Sequence, residues 1–88
     1  MIATEYLVSS KDGLHARPAT NLIRLAKKYK SGIILKKEDK SVMLNSMLNL
    51  LSMAIKAGDT ITINIEGEDE QEAFAALDSF FKEELKHL

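Results

Sequence analysis

The sequence predicts an α+β fold in which three helices cover one face of a four-stranded antiparallel sheet. Segments that alternate apolar and polar residues, as strands do, are interspersed with segments of helical period in the order β-α-β-β-α-β-α. A chain of 88 residues, 45% of them hydrophobic, has room for one core. We therefore expect a single domain over residues 1–88, without a linker or an internal repeat.

The first strand and the first helix are predicted from a change of period near residue 16. A first strand is predicted near the N-terminus, where one set of residues (Ile2, Thr4, Tyr6, Val8) alternates with another (Ala3, Glu5, Leu7, Ser9). Lys11-Asp12-Gly13 then predicts a turn. From Ala16 the apolar residues recur at helical spacing as far as Tyr29. Pro18 falls in the first helical turn, where its missing N–H leaves no bond unmade.

The middle of the chain predicts a hairpin followed by a short helix. Strands over residues 33–37 and 40–44 flank a turn at Glu38-Asp39. Ser46 can cap a helix from Met47 to about Ile55, because its hydroxyl can accept an N–H two or three residues further on.

The end of the chain contains the clearest strand and the longest helix. Over residues 60–65 three isoleucines alternate with polar residues, so one face of this strand is expected to be buried. A helix from about Asp69 to Leu85 follows, and its acidic first turn suits the helix dipole. Its buried stripe is predicted to be Ala73, Leu77, Phe80, Phe81 and Leu85.

The composition excludes several classes of protein. The formal net charge is -1, and the predicted strands lack the basic or aromatic face of a small nucleic-acid-binding domain. No segment approaches the length of a membrane span, and Met1–Lys11 lacks the unbroken apolar stretch of a signal peptide. The chain has no cysteine, which excludes disulfides and thiolate metal sites and suits the reducing cytoplasm. We expect a cytoplasmic protein that does not insert into membranes.

The charges are unevenly spread along the chain. Five basic residues and no carboxylate lie between Gly13 and Lys30, whereas five carboxylates and no base lie between Glu66 and Glu72. A distribution of this kind favours the docking of an acidic partner in one orientation.

One histidine stands where a helix is predicted to begin. His15 directly precedes the helix, and Arg17 follows two residues later. The first N–H groups of a helix have no internal partners and carry partial positive charge, so they form an anion site. An imidazole there is a nucleophile near neutral pH, and a phosphoryl group on it could contact those N–H groups and the guanidinium.

Helix position alone also fits a structural or merely exposed histidine. A metal site is disfavoured, because no acidic pair flanks His15 at ligand spacing and the other histidine, His87, lies in the C-terminal tail. We expect no metal and no cofactor, and we expect His87 to be solvated.

The segment Gly13-Leu14-His15-Ala16-Arg17-Pro18-Ala19-Thr20 resembles the active-site signature of the HPr family, the histidine-containing phosphocarriers of the phosphoenolpyruvate:sugar phosphotransferase system (PTS). The resemblance covers the whole chain, including the Ser46 region and the segment Gly67–Ala73. It implies an open-faced β-sandwich, in agreement with the order of elements predicted from the periodicity.

The resemblance also implies a function. His15 would accept a phosphoryl group on Nδ1 from phospho-enzyme I and pass it to a histidine of a sugar-specific enzyme IIA. Arg17 would stabilise the phosphoryl group in both transfer complexes. The chain would then be a carrier and a substrate of its partners, and not an enzyme that turns over alone.

Ser46 is a second candidate site. In HPr proteins of low-GC Gram-positive bacteria the matching serine is phosphorylated by an ATP-dependent HPr kinase/phosphorylase, and the product binds a transcription regulator of carbon catabolite repression. This chain has Met47-Leu48-Asn49 where Ile-Met-Gly is typical, and Leu51 where Met is usual. These differences alter the surface that a kinase would recognise.

The second helix carries more apolar residues than one buried face can hold, so some are expected to form an exposed patch. The resemblance implies that enzyme I and enzyme IIA dock in this region, framed by basic residues of the first helix. The predicted partner-binding residues are Thr20, Arg24, Lys27, Met47, Leu48 and Leu51.

Two alternative functions fit the sequence less well. A regulatory paralogue would act mainly through Ser46, but in the known paralogue of that kind glutamine replaces the active-site histidine, which is present here as His15. A nucleic-acid-binding domain would need a basic or aromatic sheet face, which these strands lack. We expect a monomer.

Overall fold

The computed structural model describes residues 1–88 and has four strands, three α-helices and two short helical turns at the C-terminus. The bounds are β1 Ile2–Leu7, α1 Ala16–Ala26, β2 Gly32–Lys37, β3 Lys40–Met43, α2 Met47–Ser52, β4 Thr60–Glu66 and α3 Glu70–Ser79. A π-helical turn over Phe80–Glu84 and a 3₁₀ turn over Leu85–His87 follow α3.

The four strands form one antiparallel sheet in the order β1-β4-β2-β3. The central strand β4 pairs with β1 through Tyr6 and Ile61, and with β2 through Leu35 and Ile63. The pleat therefore directs the isoleucines of β4 toward the helices, where they are almost fully buried. The other face of the sheet has no helix against it and exposes Leu7 and Met43. The predicted α+β open-faced sandwich is confirmed.

The core lies between the sheet and the helices. Leu22 of α1, Leu50 of α2 and Leu77 of α3 are all at most 1% exposed. The five residues predicted as the buried stripe of the last helix are buried as well. Tyr6 extends this core to β1: its ring stacks on Phe81 at 4.7 Å, and its hydroxyl donates to Asp78 Oδ1 at 2.7 Å.

The last helix differs from its prediction, which was a continuous helix to Leu85. The α-helix ends at Ser79, and in the turn that follows Leu85 N donates to Phe80 O, five residues earlier. An α-helix separates consecutive side chains by about 100°. The wider turn brings Phe80 and Phe81 closer to one face, and both rings are buried in edge-to-face contact.

The first two helices end earlier than predicted. Beyond Ala26 the chain tightens into a turn, and the carboxylate of Asp69 then accepts the N–H groups of Lys30 and Ser31. These bonds to the start of the last helix draw the chain away from the helical path. After Ser52, Ala54 adopts a left-handed conformation with φ of 52°, which stops α2.

Candidate functional site

The predicted helix start is where His15 lies. His15 is the N-cap of α1, with extended backbone angles of φ −78° and ψ −173°, and its carbonyl accepts the N–H of Ala19 at 3.0 Å. Its side chain makes no capping hydrogen bond. The first-turn N–H groups of Ala16 and Arg17 have no intrahelical acceptor, and Pro18 has no N–H. The helix end is therefore open to an anion.

The two ring nitrogens of His15 have different surroundings. Nε2 is buried and has no hydrogen-bond partner, while Nδ1 is not among the buried nitrogens and makes no hydrogen bond. The side chain as a whole is partly exposed. Of the two nitrogens, Nδ1 is thus the one that a phosphoryl donor could approach from solvent.

The loop that leads to His15 is fixed against the end of α2 and the start of β4. Val8 exchanges backbone hydrogen bonds with Gly58 and Asp59, and Leu14 N donates to Ile55 O at 3.1 Å. Gly13, with φ of +69°, packs so closely that a Cβ on it would lie 2.8 Å from Lys56 Cα. The chain can approach Ile55 and Lys56 this closely only because residue 13 has no side chain.

The four basic side chains of residues 16–28, here called the α1 segment, form no internal ion pair. Arg17, Arg24, Lys27 and Lys28 are all exposed, and none lies within 4.0 Å of a carboxylate, although four ion pairs form elsewhere in the molecule. No acidic residue lies in the first turn of α1. This segment is therefore a positively charged surface that runs from Arg17, near His15, to Lys28 beyond the other end of the helix.

Of the apolar residues predicted to contact partners, Leu48 and Leu51 are exposed but Met47 is not fully so. Leu48 is 78% exposed and Leu51 is 40% exposed, whereas Met47 is half-buried against the core. Helices α1 and α2 are in contact, so the patch adjoins the positively charged surface. Thr20 is half-buried and donates its hydroxyl to the carbonyl of Ala16 at 2.7 Å, which leaves it no free proton for a partner.

Ser46 caps α2, as predicted. Its backbone is extended, and its hydroxyl oxygen accepts the N–H of Asn49 at 3.3 Å. The residue is partly exposed, and no acidic side chain lies in the first turn of α2. A phosphate at this position would meet no nearby carboxylate of that turn.

Other features of the molecule fall outside the site. The structure contains no group of three or more side chains that could hold a metal ion, and no helix that is long and apolar enough to span a membrane. His87 is exposed, as expected. Sequence reasoning did not find the buried, unpartnered hydroxyl of Ser10 in the loop before His15, because a serine in a predicted loop carries no sign of burial.

The fold and the site together define a class of protein: a small open-faced β-sandwich that presents a partly exposed histidine at the N-terminus of its first helix. A family model for the PTS HPr component phosphorylation site matches residues 2–83. The chain belongs to the HPr family of phosphocarrier proteins.

Individual relatives fall into two groups within this family. The chain is 42% identical to the HPr-like protein Crh of Halalkalibacterium halodurans over 96% of its own length and 100% of the relative's. It is 37% identical to the phosphocarrier protein HPr of Lysinibacillus sphaericus, over 94% of both chains.

Solved structures show the same fold. HPr from Thermoanaerobacter tengcongensis superposes with a TM-score of 0.91 at 32% identity, covering 97% of this chain and 96% of that one. Crh of Bacillus subtilis, described as a domain-swapped dimer, superposes with a TM-score of 0.74 at 36% identity, covering 97% and 98%. The dimer of that relative is in tension with the monomer expected from the sequence.

Proposed function

We propose that this chain is a general phosphocarrier of the PTS, which accepts a phosphoryl group on His15 Nδ1 from phospho-enzyme I and passes it to enzyme IIA. The single observation that carries the proposal is the accessible Nδ1 of an N-cap histidine. It lies at a helix N-terminus whose first turn contains no acidic residue. The nitrogen lone pair forms the new N–P bond while the bond from phosphorus to enzyme I breaks. The reverse exchange delivers the group to enzyme IIA.

Arg17 is proposed to stabilise the transferred group. Its guanidinium has no internal carboxylate partner and follows the nucleophile by two residues, so it is free to pair with phosphoryl oxygens. Arg24 and Lys27 would meet acidic surfaces of the partners, and Leu48 and Leu51 would supply apolar contact.

The transfer can be tested with purified partners. Incubation with enzyme I, phosphoenolpyruvate and Mg²⁺ should give an acid-labile adduct one phosphoryl group heavier in the intact mass spectrum. His15→Ala should give none, whereas His87→Ala, which removes the other and exposed histidine, should give as much as the parent. The carrier proposal fails if the parent stays unmodified or if His15→Ala is modified equally.

A regulatory role like that of Crh is the second candidate, favoured by the 42% identity to a Crh protein. It would act through phosphoserine at Ser46, formed by an HPr kinase/phosphorylase and read by a catabolite-control transcription regulator. The presence of His15 supports the carrier role over this one.

The regulatory role can be tested independently of His15. Incubation with a cognate HPr kinase and ATP should add one acid-stable phosphoryl group to the parent and to His15→Ala. Ser46→Ala should remain unmodified, and an unmodified parent would withdraw the regulatory role.

We propose that the carrier works as a monomer in the cytoplasm, where its partners would meet it. The segment that would have to open for β1 to swap is anchored: its backbone is bonded to Asp59 and Ile55, and Ser10 within it is fully buried. Light scattering during gel filtration should give the mass of one chain, and the mass of two would contradict the proposal.

A further inference from the structure

A cleft of about 530 Å³ lies between the C-terminal half of α1 and the π-helical turn. Its apolar floor includes the partly exposed Leu25 and Leu88, and Arg24 of α1 and Lys28, just after it, contribute to one wall. The π-helical turn contributes carboxylates to the other. His87 also lines the cleft. None of the residues lining the cleft is His15, Arg17 or Ser46. A volume of this size is in the range of small-molecule sites.

No ion pair within 4.0 Å joins the charges that line the cleft. Neither Arg24 nor Lys28 has a carboxylate within 4.0 Å, and Glu84 has no ion pair either. Glu83 accepts a hydrogen bond only from Ser79 of its own segment, at 3.1 Å. The cleft is thus lined by cations near the end of α1 and by carboxylates of the π-helical turn. A ligand with an anionic group at one end and hydrogen-bond donors at the other could bridge them.

The acidic wall is built on an unusual piece of backbone. Phe80, Glu83 and Glu84 all lie in the π-helical turn, where Leu85 N donates to Phe80 O. Such turns are rare and occur frequently at functional sites. If the α-helix continued instead, these side chains would project in different directions around the helix axis. The backbone irregularity and the cleft are two observations that coincide at the same residues.

We propose that this cleft binds a nucleoside monophosphate. The phosphate would lie between Arg24 and Lys28, which both line the cleft. The base would cover the partly exposed side chains of Leu25 and Leu88. The ribose hydroxyls would donate to the carboxylates of the π-helical turn. Inorganic phosphate is a poorer ligand, because it would contact neither the apolar floor nor the carboxylates. A second copy of this chain is a poorer occupant, because it would present the same concave surface.

Occupation of the cleft would have a consequence for phosphoryl transfer, and this consequence rests on the proposed function. Arg24 lines the cleft and also belongs to the surface proposed to meet enzyme I. A bound phosphate would neutralise this side chain and weaken its pairing with an acidic partner.

The binding itself can be tested without any partner protein. Adenosine 5′-monophosphate is titrated into the uniformly ¹⁵N-labelled full chain while amide shifts are followed by NMR. We expect saturable shifts at residues 24–28 and 80–88 and none at the start of α1. Adenosine, inorganic phosphate and glucose 6-phosphate should each bind at least about tenfold more weakly. Adenosine lacks the phosphate, inorganic phosphate lacks the nucleoside, and glucose 6-phosphate lacks the base.

Two charge reversals distinguish the cleft from general attraction of an anion. Lys28→Glu should weaken binding of adenosine 5′-monophosphate by about tenfold or more. Lys86→Glu, which reverses an exposed lysine that does not line the cleft, should leave the affinity within about twofold. Equal losses in both variants, equal binding of glucose 6-phosphate, or shifts centred on His15 would each overturn the proposal. A failure of His15 to accept a phosphoryl group would leave this result unaffected.

Discussion

At the scale of single residues, two buried polar atoms lack a hydrogen-bond partner, and both lie in the segment around the start of α1. They are Ser10 Oγ and His15 Nε2. Buried polar groups without partners are uncommon and cost stability. In His15, the orientation that buries Nε2 without a partner also leaves Nδ1 accessible, as the proposed chemistry needs. For Ser10 the site gives no such reason.

Replacing Ser10 should therefore stabilise the protein. Ser10→Ala removes a fully buried hydroxyl without a partner and should raise the free energy of unfolding by about 1 kcal/mol, measured by urea denaturation. Ser9→Ala is the matched control, because Ser9 is exposed and should change stability little. A loss of stability in Ser10→Ala would mean that the hydroxyl has a partner in solution.

At the scale of secondary-structure elements, the contact between the His15 loop and the chain after α2 depends on Gly13. A Cβ on residue 13 would collide with the backbone of Ile55 and Lys56, and φ is +69°. Gly58 also has a positive φ, of +88°, but a Cβ there would meet nothing within 4 Å.

The two glycines should therefore respond differently to the same substitution. Gly58→Ala should cost about 1–2 kcal/mol for backbone strain alone, and Gly13→Ala about 3 kcal/mol or more, because the collision is added to the strain. Chemical denaturation of both variants measures this difference. Equal losses would show that the His15 loop can move away from Lys56 without cost.

The end of α2 carries a strain that a glycine would relieve. Ala54 has φ of 52°, a conformation that disfavours a side chain with a Cβ. Ala54→Gly should raise the unfolding free energy by about 0.5–1 kcal/mol, visible as a higher Tm. Ala57→Gly, at an exposed position without a positive φ, should instead lower Tm slightly. The same sign for both variants would contradict this account.

At the scale of the whole molecule, three carboxylates join distant segments. A hydrogen bond from the Ser31 hydroxyl, with the N–H of Lys30, lowers the pKa of Asp69. The N–H of Lys56 and then the ammonium of the distant Lys37 lower the pKa of Asp59. The N–H of Gly67 and then the N-terminal ammonium of Met1 lower the pKa of Glu70. Because these values are lower in the folded than in the unfolded chain, the unfolded chain binds more protons in acid. The stabilisation is present above the ordinary values of 3.8 and 4.5 and is lost as the pH falls through the folded values.

Acid stability should accordingly depend on Asp69. The parent should lose stability progressively from about pH 5 to pH 3 and below, and Asp69→Asn should be less stable at pH 7 with a shallower decline in acid. Glu72→Gln serves as the control, because Glu72 is exposed and makes no ion pair. Thermal melts over this pH range test the prediction. Parallel curves for the parent and Asp69→Asn would refute it.

The sequence predicted the order of the elements and most of the buried positions because their signals are local. The isoleucines of β4 alternate, the apolar residues of α1 recur at helical spacing, and Ser46 precedes the helix that it caps. The motif around His15 likewise depends on adjacent residues and needs no distant contact.

By itself, the sequence determined the α+β fold class, the order of the elements, and the position of His15 at a helix start. Only the tertiary structure decided where α1 ends, which ring nitrogen of His15 is enclosed, and how the last helix widens after Ser79. The physical reason is that the end of α1 and the packing of the last helix depend on residues far apart in the chain. Asp69 binds Lys30 and Ser31, and Phe81 stacks on Tyr6, and no local pattern encodes those distances.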